Sequence, residues 1–281
     1  MTTAQGREGT RTEGGKTLRI VVCVKQVPET TESAKINPET GTLMREGVAS
    51  ITNPFDMYAL EEALRIKEKQ EGDHEVVALS MGPPQAQEML KEALALGCDR
   101  AVLLSDRAFA GADTLATAYT LARAIETLGG CDLVLCGKQA VDGDTAQVGP
   151  GVAEELDIPH ATYVRKIASL SPQAIEVERL VEGGIEQVEM TMPALLTVVK
   201  EINEPRLPSL RGIMKAKRME VTVWDAAELA VDAERVGLAG SPTEVVKVFT
   251  PQLEKDTQIL EGSPDEQAKQ LIHGLRQAGL M

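Results

Sequence analysis

The chain has 281 residues, a formal net charge of −14 and 43% hydrophobic residues, a length and composition suited to one large globular domain or two modest ones. Aromatic residues make up only 2% (three Phe, three Tyr, one Trp), which together with the acidic balance excludes nucleic-acid binding by base stacking on a basic groove. No apolar run approaches the ~18 residues of a membrane span. The four cysteines lack CxxC spacing and the three histidines are scattered, so no metal site is expected.

Residues 1–16 are polar and Gly/Thr-rich. They lack the apolar stretch of a signal peptide and read as a disordered tail ahead of a cytoplasmic protein with reduced core thiols. Residues 18–24 (LRIVVCV) are apolar and β-branched, which predicts a strand buried on both faces. Asn53 fits a helix N-cap, Pro54 the first helical position and Asp56 an acid in the first turn of a helix over MYALEEALRIKEKQ. A second strand is expected at 75–79, an amphipathic helix at 84–96 ending at Gly97, and a third strand at 101–104. Asp113 caps a helix over 114–128, and 132–136 (DLVLC) is a fourth strand. Strands alternating with helices predict parallel βαβ units in a doubly wound α/β fold. Such sheets bind ligands at the carboxyl ends of their strands, here the loops after Val24, Leu79 and Cys136.

The pattern then changes. Residues 162–169, 175–181 and 187–192 are separated by turn signals without helices, predicting an antiparallel strand insertion, and 194–199 rejoins the sheet. Residues 201–218 read as irregular. From Trp224 onward periodicity is lost until a helix at 265–278. The expected layout is a tail at 1–16, a nucleotide- or flavin-binding α/β domain at 17–240, and an extended C-terminal arm at 241–281 that packs on a partner chain.

Residues 137–151 (GKQAVDGDTAQVGPG) follow a strand and precede a helical pattern. Small residues let backbone N–H groups approach phosphate oxygens, and a helix N-terminus adds partial positive charge. Asp144 and Gln147 have capping-box spacing, but Pro150 forces a helix begun at Thr145 to kink or to start later. The stretch is neither a Walker loop nor GxGxxG, so a solvated turn competes with phosphate binding. On residue chemistry alone Asn53–Asp56 is a cap, Lys25 is a phosphate contact or a solvated strand end, and Lys215, Lys217 and Arg218 are a solvated basic face. No nucleophile–base pair or paired carboxylate stands out, so no catalytic side chain is assigned, and any redox chemistry falls to a bound cofactor.

Six segments together resemble the β subunit of electron transfer flavoproteins (ETF): VCVKQVP, NPFDMYALEEALRIKE, GCDRAVLLSD, GADTLATA, GKQAVDGDTAQVGPGVAEEL and INEPRLPSLRGIMKAKR. The resemblance covers residue 18 to the C-terminus. It implies a heterodimer with an ETF α subunit and an adenine-nucleotide site at Cys23, Asn53, Pro54, Phe55, Asp56, Met81, Gly137, Lys138, Gln139, Ala140, Val141, Asp142, Gly143, Asp144, Thr145, Ala146, Gln147 and Val148. It also implies that Leu210 is an apolar docking anchor for acyl-CoA dehydrogenase-type partners, flanked by Arg211, Lys215 and Lys217. In one branch of the family the loop resembles AIDDDCNQTGQ and the β subunit holds AMP, while the heterodimer shuttles electrons from dehydrogenases to a quinone reductase. In the other the loop resembles AIDGDTAQVGP, the β subunit holds FAD, and the heterodimer bifurcates electrons from NADH to a low-potential ferredoxin or flavodoxin and a high-potential acceptor. AVDGDTAQVGP at 140–150 is similar to the second, with the AMP-holding branch as the alternative.

Overall fold

A computed structural model describes residues 17–29, 35–36, 43–44, 49–246 and 257–281. The expected tail at 1–16 lies outside them. Two compact units divide the chain, Met1–Val246 and Lys247–Met281.

The first unit opens on β1 (Arg19–Cys23), followed by two small antiparallel ribbons, β2 (Gln26–Pro28) with β5 (Ser50–Thr52) and β3 (Lys35–Ile36) with β4 (Leu43–Met44). Helix α1 (Pro54–Lys69) leads to β6 (Glu75–Met81), α2 (Gln87–Leu96) to β7 (Arg100–Leu104), and α3 (Thr114–Thr127) to β8 (Leu133–Gly137). Next come α4 (Val148–Glu155), β9 (His160–Leu170), β10 (Ala174–Val181), β11 (Gly184–Thr191), β12 (Ala194–Val198), α5 (Leu210–Ala216) and β13 (Thr222–Trp224). A nine-stranded sheet runs in the order β11-β10-β9-β12-β8-β1-β6-β7-β13. The run β9-β12-β8-β1-β6-β7-β13 pairs parallel throughout, and β10 pairs antiparallel with both β9 and β11. The expected insertion therefore extends the main sheet rather than forming one of its own.

The central strands are apolar on both sides because both sides are covered. Ile20, Val22 and Val24 join one core cluster with Leu60, Leu64, Leu90 and Leu94 of α1 and α2. Val21 and Cys23 join the other with Leu121 and Ile125 of α3 and Val152 of α4. After β1 the chain steps through β6 to β7 on one side, then returns to place β8 on the other side of β1. The winding reverses between β1 and β8, and the carboxyl ends of the strands at such a switch are where doubly wound sheets place their ligand crevice.

Two expectations beyond residue 200 are corrected. Residues 201–218 are not irregular throughout: Ser209 Oγ accepts from Gly212 N (3.0 Å) and caps α5. The chain after Trp224 also keeps core contacts. β13 pairs with β7, and Leu229 and Val236 are buried in the second cluster. Sequence periodicity missed them because each is a single apolar residue in a run of turns. In the second unit α6 (Pro264–Gln277) begins where Glu266 accepts from Ser263 N (2.8 Å) and Oγ (2.7 Å). Its Leu271 and Ile272 are exposed. Among the described residues no helix is long and apolar enough to cross a membrane.

Candidate nucleotide site at the winding reversal

The first strand ends in Cys23, which sits in register with Leu79 of β6 and Cys136 of β8. Met81 closes β6 and Gly137 closes β8, so the loops expected to carry the site emerge from three adjacent strands. Cys23 and Cys136 are buried free thiols. The hydrogen bond with Cys23, then burial, pushes the Cys136 thiol up, so it stays a neutral group in the second core cluster.

Helix α1 fastens these loops. Its N-cap is Asn53, as expected, but the Asn53 side chain makes no capping bond. Instead Nδ2 donates to Gln139 O (2.9 Å) and Oδ1 accepts from Val141 N (3.2 Å). Pro54 occupies the first helical turn, where its missing N–H costs nothing. Asp56 is buried and spans two loops: Oδ2 accepts from Lys25 N (2.8 Å) and Oδ1 from Gly137 N (3.1 Å). Burial pushes its pKa up to about 7 despite hydrogen bonds from Asn53, Lys25 and Gly137 that favour the charged form. The Asn53–Asp56 turn is thus a clamp on the site loops as well as a helix start. Asn53→Ala removes two hydrogen bonds worth ~1 kcal/mol each. Exchange of the Val141 and Asp144 amides, which are hydrogen-bonded in this loop, should then accelerate about tenfold or more, with β1 and β8 unchanged. Equal exchange in the loop would show that Asn53 does not hold it.

The loop from Lys138 to Gln147 is largely exposed from Val141 to Thr145. The expected Asp144–Gln147 capping box does not form. Asp144 accepts from Gln139 Nε2, Gln147 Oε1 accepts from Thr114 Oγ1 (2.9 Å), and the helix begins only at Val148. Pro150 falls in the first turn of α4, which resolves the kink-or-later-start question in favour of a later start. Asp144 (φ 55°) and Ala146 (φ 54°) both adopt left-handed backbone, uncommon for residues other than Gly. The N–H groups of Gly143, Thr145, Ala146 and Gln147 find no acceptor among the described residues. Lys25 Nζ reaches across to Asp142 (2.7 and 2.9 Å). Such a bridge, exposed at the lysine, is worth ~0–1 kcal/mol and can open to a competing anion. Unused donors, two lysines and a helix start make up the kind of donor set that suits phosphate oxygens.

A domain described as "Electron transfer flavoprotein domain" matches residues 40–229. An "Electron transfer flavoprotein subunit beta" from Thermoanaerobacterium thermosaccharolyticum is 52% identical over 259 residues, covering 92% of this chain and 98% of the relative. The chain belongs to the electron transfer flavoprotein family as a β subunit. Another relative is the "Caffeyl-CoA reductase-Etf complex subunit CarD" from Acetobacterium woodii, 49% identical over 92% of this chain and 98% of its own. "Protein FixA" from Azorhizobium caulinodans is 47% identical over 86% of this chain and 88% of its own.

Around this ETF β crevice the structure also gathers residues outside the expected set. Lys138 Nζ lies 4.8 Å from the Phe55 ring centroid and 5.8 Å from that of Tyr163. Tyr163 sits in β9 with φ 57°, beside the register shift between Leu196 and Val198 of β12, and its N–H donates to Thr197 Oγ1 (3.2 Å). Two of the few aromatics therefore bracket a site lysine. Neither Tyr163 nor Thr114 carries a local signal in the sequence, because each arrives through tertiary pairing. The expected docking residues lie on and just after α5: Leu210 is 76% exposed, and Arg211, Lys215 and Lys217 are exposed beside it.

Proposed function

We propose that this β subunit binds FAD in the β1/β8 crevice. In a heterodimer with an ETF α subunit it would then serve NADH-dependent electron bifurcation to a low-potential ferredoxin or flavodoxin and a high-potential acyl-CoA dehydrogenase-type acceptor. The observation that carries the reading is the open loop at Gly143. A Cβ there would meet nothing within 4 Å, and Thr145 and Ala146 beside it are small. A diphosphate bearing a flavin needs that room more than a monophosphate does. Bound FAD supplies hydride acceptance and one-electron release. The chain's own residues hold and orient: the amides of 143–147 and the α4 N-terminus face the phosphates, Lys138 and Lys25 balance their charge, and Asn53 and Asp56 fix the loops. The name of CarD ties that relative to a caffeyl-CoA reductase complex, which fits an acyl-CoA-linked partner here. Leu210, with Arg211, Lys215 and Lys217, is the docking element for it, and the C-terminal arm from 241 packs on the α subunit. A cytoplasmic location accords with these soluble redox partners.

Mass spectrometry of the denatured heterodimer tests the reading. Two FAD per heterodimer are expected, and one FAD with one AMP overturns it in favour of a structural nucleotide. Thr145→Trp fills the open loop where the nucleotide would lie. It should lower β-subunit flavin affinity about tenfold or more while sparing the flavin of the α subunit. Equal loss of both flavins would show that the site is not local to this loop.

A further inference from the structure

Residues 203–219 are fixed at both ends and bare at the crest. Upstream, Asn203 Nδ2 donates to Tyr58 O and Glu62 Oε2, both at 3.0 Å. The Arg206 backbone N–H and Nε both donate to Glu61 Oε2 (3.1 and 2.8 Å). Its Nη2 donates to Glu61 Oε1 (3.2 Å) and Glu68 Oε2 (2.9 Å). Arg65 completes the network through Nε to Glu61 Oε1 (2.6 Å) and Nη2 to Glu204 O (3.1 Å). Burial disfavours the Glu61 charge, but the Arg206 and Arg65 hydrogen bonds outweigh it and hold its pKa below the ordinary range. Downstream, a Cβ on Gly212 would stand 2.2 Å from Ala95 O, and Lys91 Nζ donates to the Ala216 (3.4 Å) and Met219 carbonyls. Pro205 and Pro208 restrict φ on either side of Arg206 and Leu207.

Between these anchors Leu207 is 89% exposed, more than Leu210, and Met214 is 55% exposed. An exposed apolar crest on a firmly tethered backbone gains nothing for the fold itself. Its neighbours Arg211, Lys215, Lys217 and Arg218 are all basic in a chain of net charge −14, which fits an apolar slot rimmed by carboxylates.

We propose that Arg206 is a positioning residue: by bridging Glu61 and Glu68 of α1 it holds Leu207 and Leu210 up together, as a pre-ordered pair of apolar knobs for such a slot on the partner dehydrogenase. This rests on the docking reading of Leu210 and adds Leu207 and the α1 staple to it. Pre-ordering removes the entropy cost of fixing the segment at binding. Loosening the staple therefore weakens docking without touching flavin chemistry.

The test uses the heterodimer with NADH as donor and an acyl-CoA dehydrogenase-type acceptor, varying acceptor concentration, with flavin content and NADH reduction as controls. Leu207→Ala, Leu210→Ala and Arg206→Ala should each raise KM for the acceptor about tenfold while kcat stays within about twofold. Arg206→Lys keeps the charge but not the fork that spans two carboxylates, so it should fold normally and give an intermediate KM. It carries the test if Arg206→Ala does not fold. In a Leu207→Ala/Leu210→Ala background, Arg206→Ala should add nothing further, because it acts through those side chains. An unchanged KM in Arg206→Ala and Arg206→Lys beside a raised KM in Leu210→Ala overturns this inference alone. So does a fully additive effect in the double background. No effect of Leu210→Ala overturns the docking reading itself.

Discussion

Gly137→Ala should empty the crevice of nucleotide and destabilise the chain by ~3 kcal/mol, the upper end of what overpacking a well-filled site costs. A Cβ at 137 would stand 2.4 Å from Asp56 Oδ1, 2.6 Å from the Phe55 carbonyl carbon and 2.7 Å from Phe55 Cβ. All three atoms belong to the first turn of α1, and the two from Phe55 cannot rotate away as a flexible side chain would. Either β8 or α1 must shift, and both routes break the Gly137 N–H bond to Asp56. Nucleotide content by mass spectrometry and the unfolding midpoint in urea should fall together. Gly143→Ala is the control: with nothing within 4 Å of its Cβ, it should leave stability unchanged. A stable, fully loaded Gly137→Ala protein would show that the packing between α1 and β8 does not govern the site.

The second large effect concerns Asp56. Its pKa is raised from the ordinary 3.8 to about 7 by burial. Across that window the folded chain holds a proton that the unfolded chain has released, so this group's contribution to stability falls as pH rises from 4 to 7. The loop clamp has the opposite preference. Ionised, Asp56 accepts from both Lys25 N and Gly137 N; protonated, one oxygen carries a hydrogen and ceases to accept. Nucleotide affinity should therefore drop about tenfold between pH 8 and pH 6, the size of one charge-assisted hydrogen bond of ~1.4 kcal/mol. A diphosphate diester has no proton of its own to gain in that range, so the titration belongs to the protein. Asp56→Asn keeps one acceptor at every pH and should bind weakly with a flat profile. The check is isothermal titration across pH on wild type and variant, and parallel slopes would assign the titration to another group.

The central sheet was legible in the sequence because each parallel strand is an apolar run buried on both faces and bounded by turn residues. Residues 75–79 and 101–104 became β6 and β7 within two residues at either end. Strand–helix alternation foretold the doubly wound sheet and its three strand-end loops, whereas the switch between β1 and β8 that brings those loops side by side is seen only in the strand order. Side-chain roles were less legible. Asn53 has every mark of a cap, yet its amide is spent on Gln139 and Val141, over eighty residues away. Asp56 resembled a first-turn acid, and only tertiary packing buries it between two backbone donors. Lys215 and Lys217 could be solvated charges in isolation, and the tether from Arg206 to α1 is written in no local pattern. Periodicity registers burial repeated along an element. It does not register one residue reaching across the fold.

Trp224 is the only tryptophan of the chain, and it closes β13, with its carbonyl accepting from Ser105 N (3.0 Å) and its side chain packed against the second core cluster. The scarcity of aromatics thereby gives the subunit a built-in optical probe. Emission from Trp224 reports whether the strand that completes the far edge of the sheet is seated. A flavin held at the opposite side of β6 and β7 would quench it by energy transfer. Seating of the C-terminal run and loading of the crevice can thus be followed in one fluorescence trace, without a label.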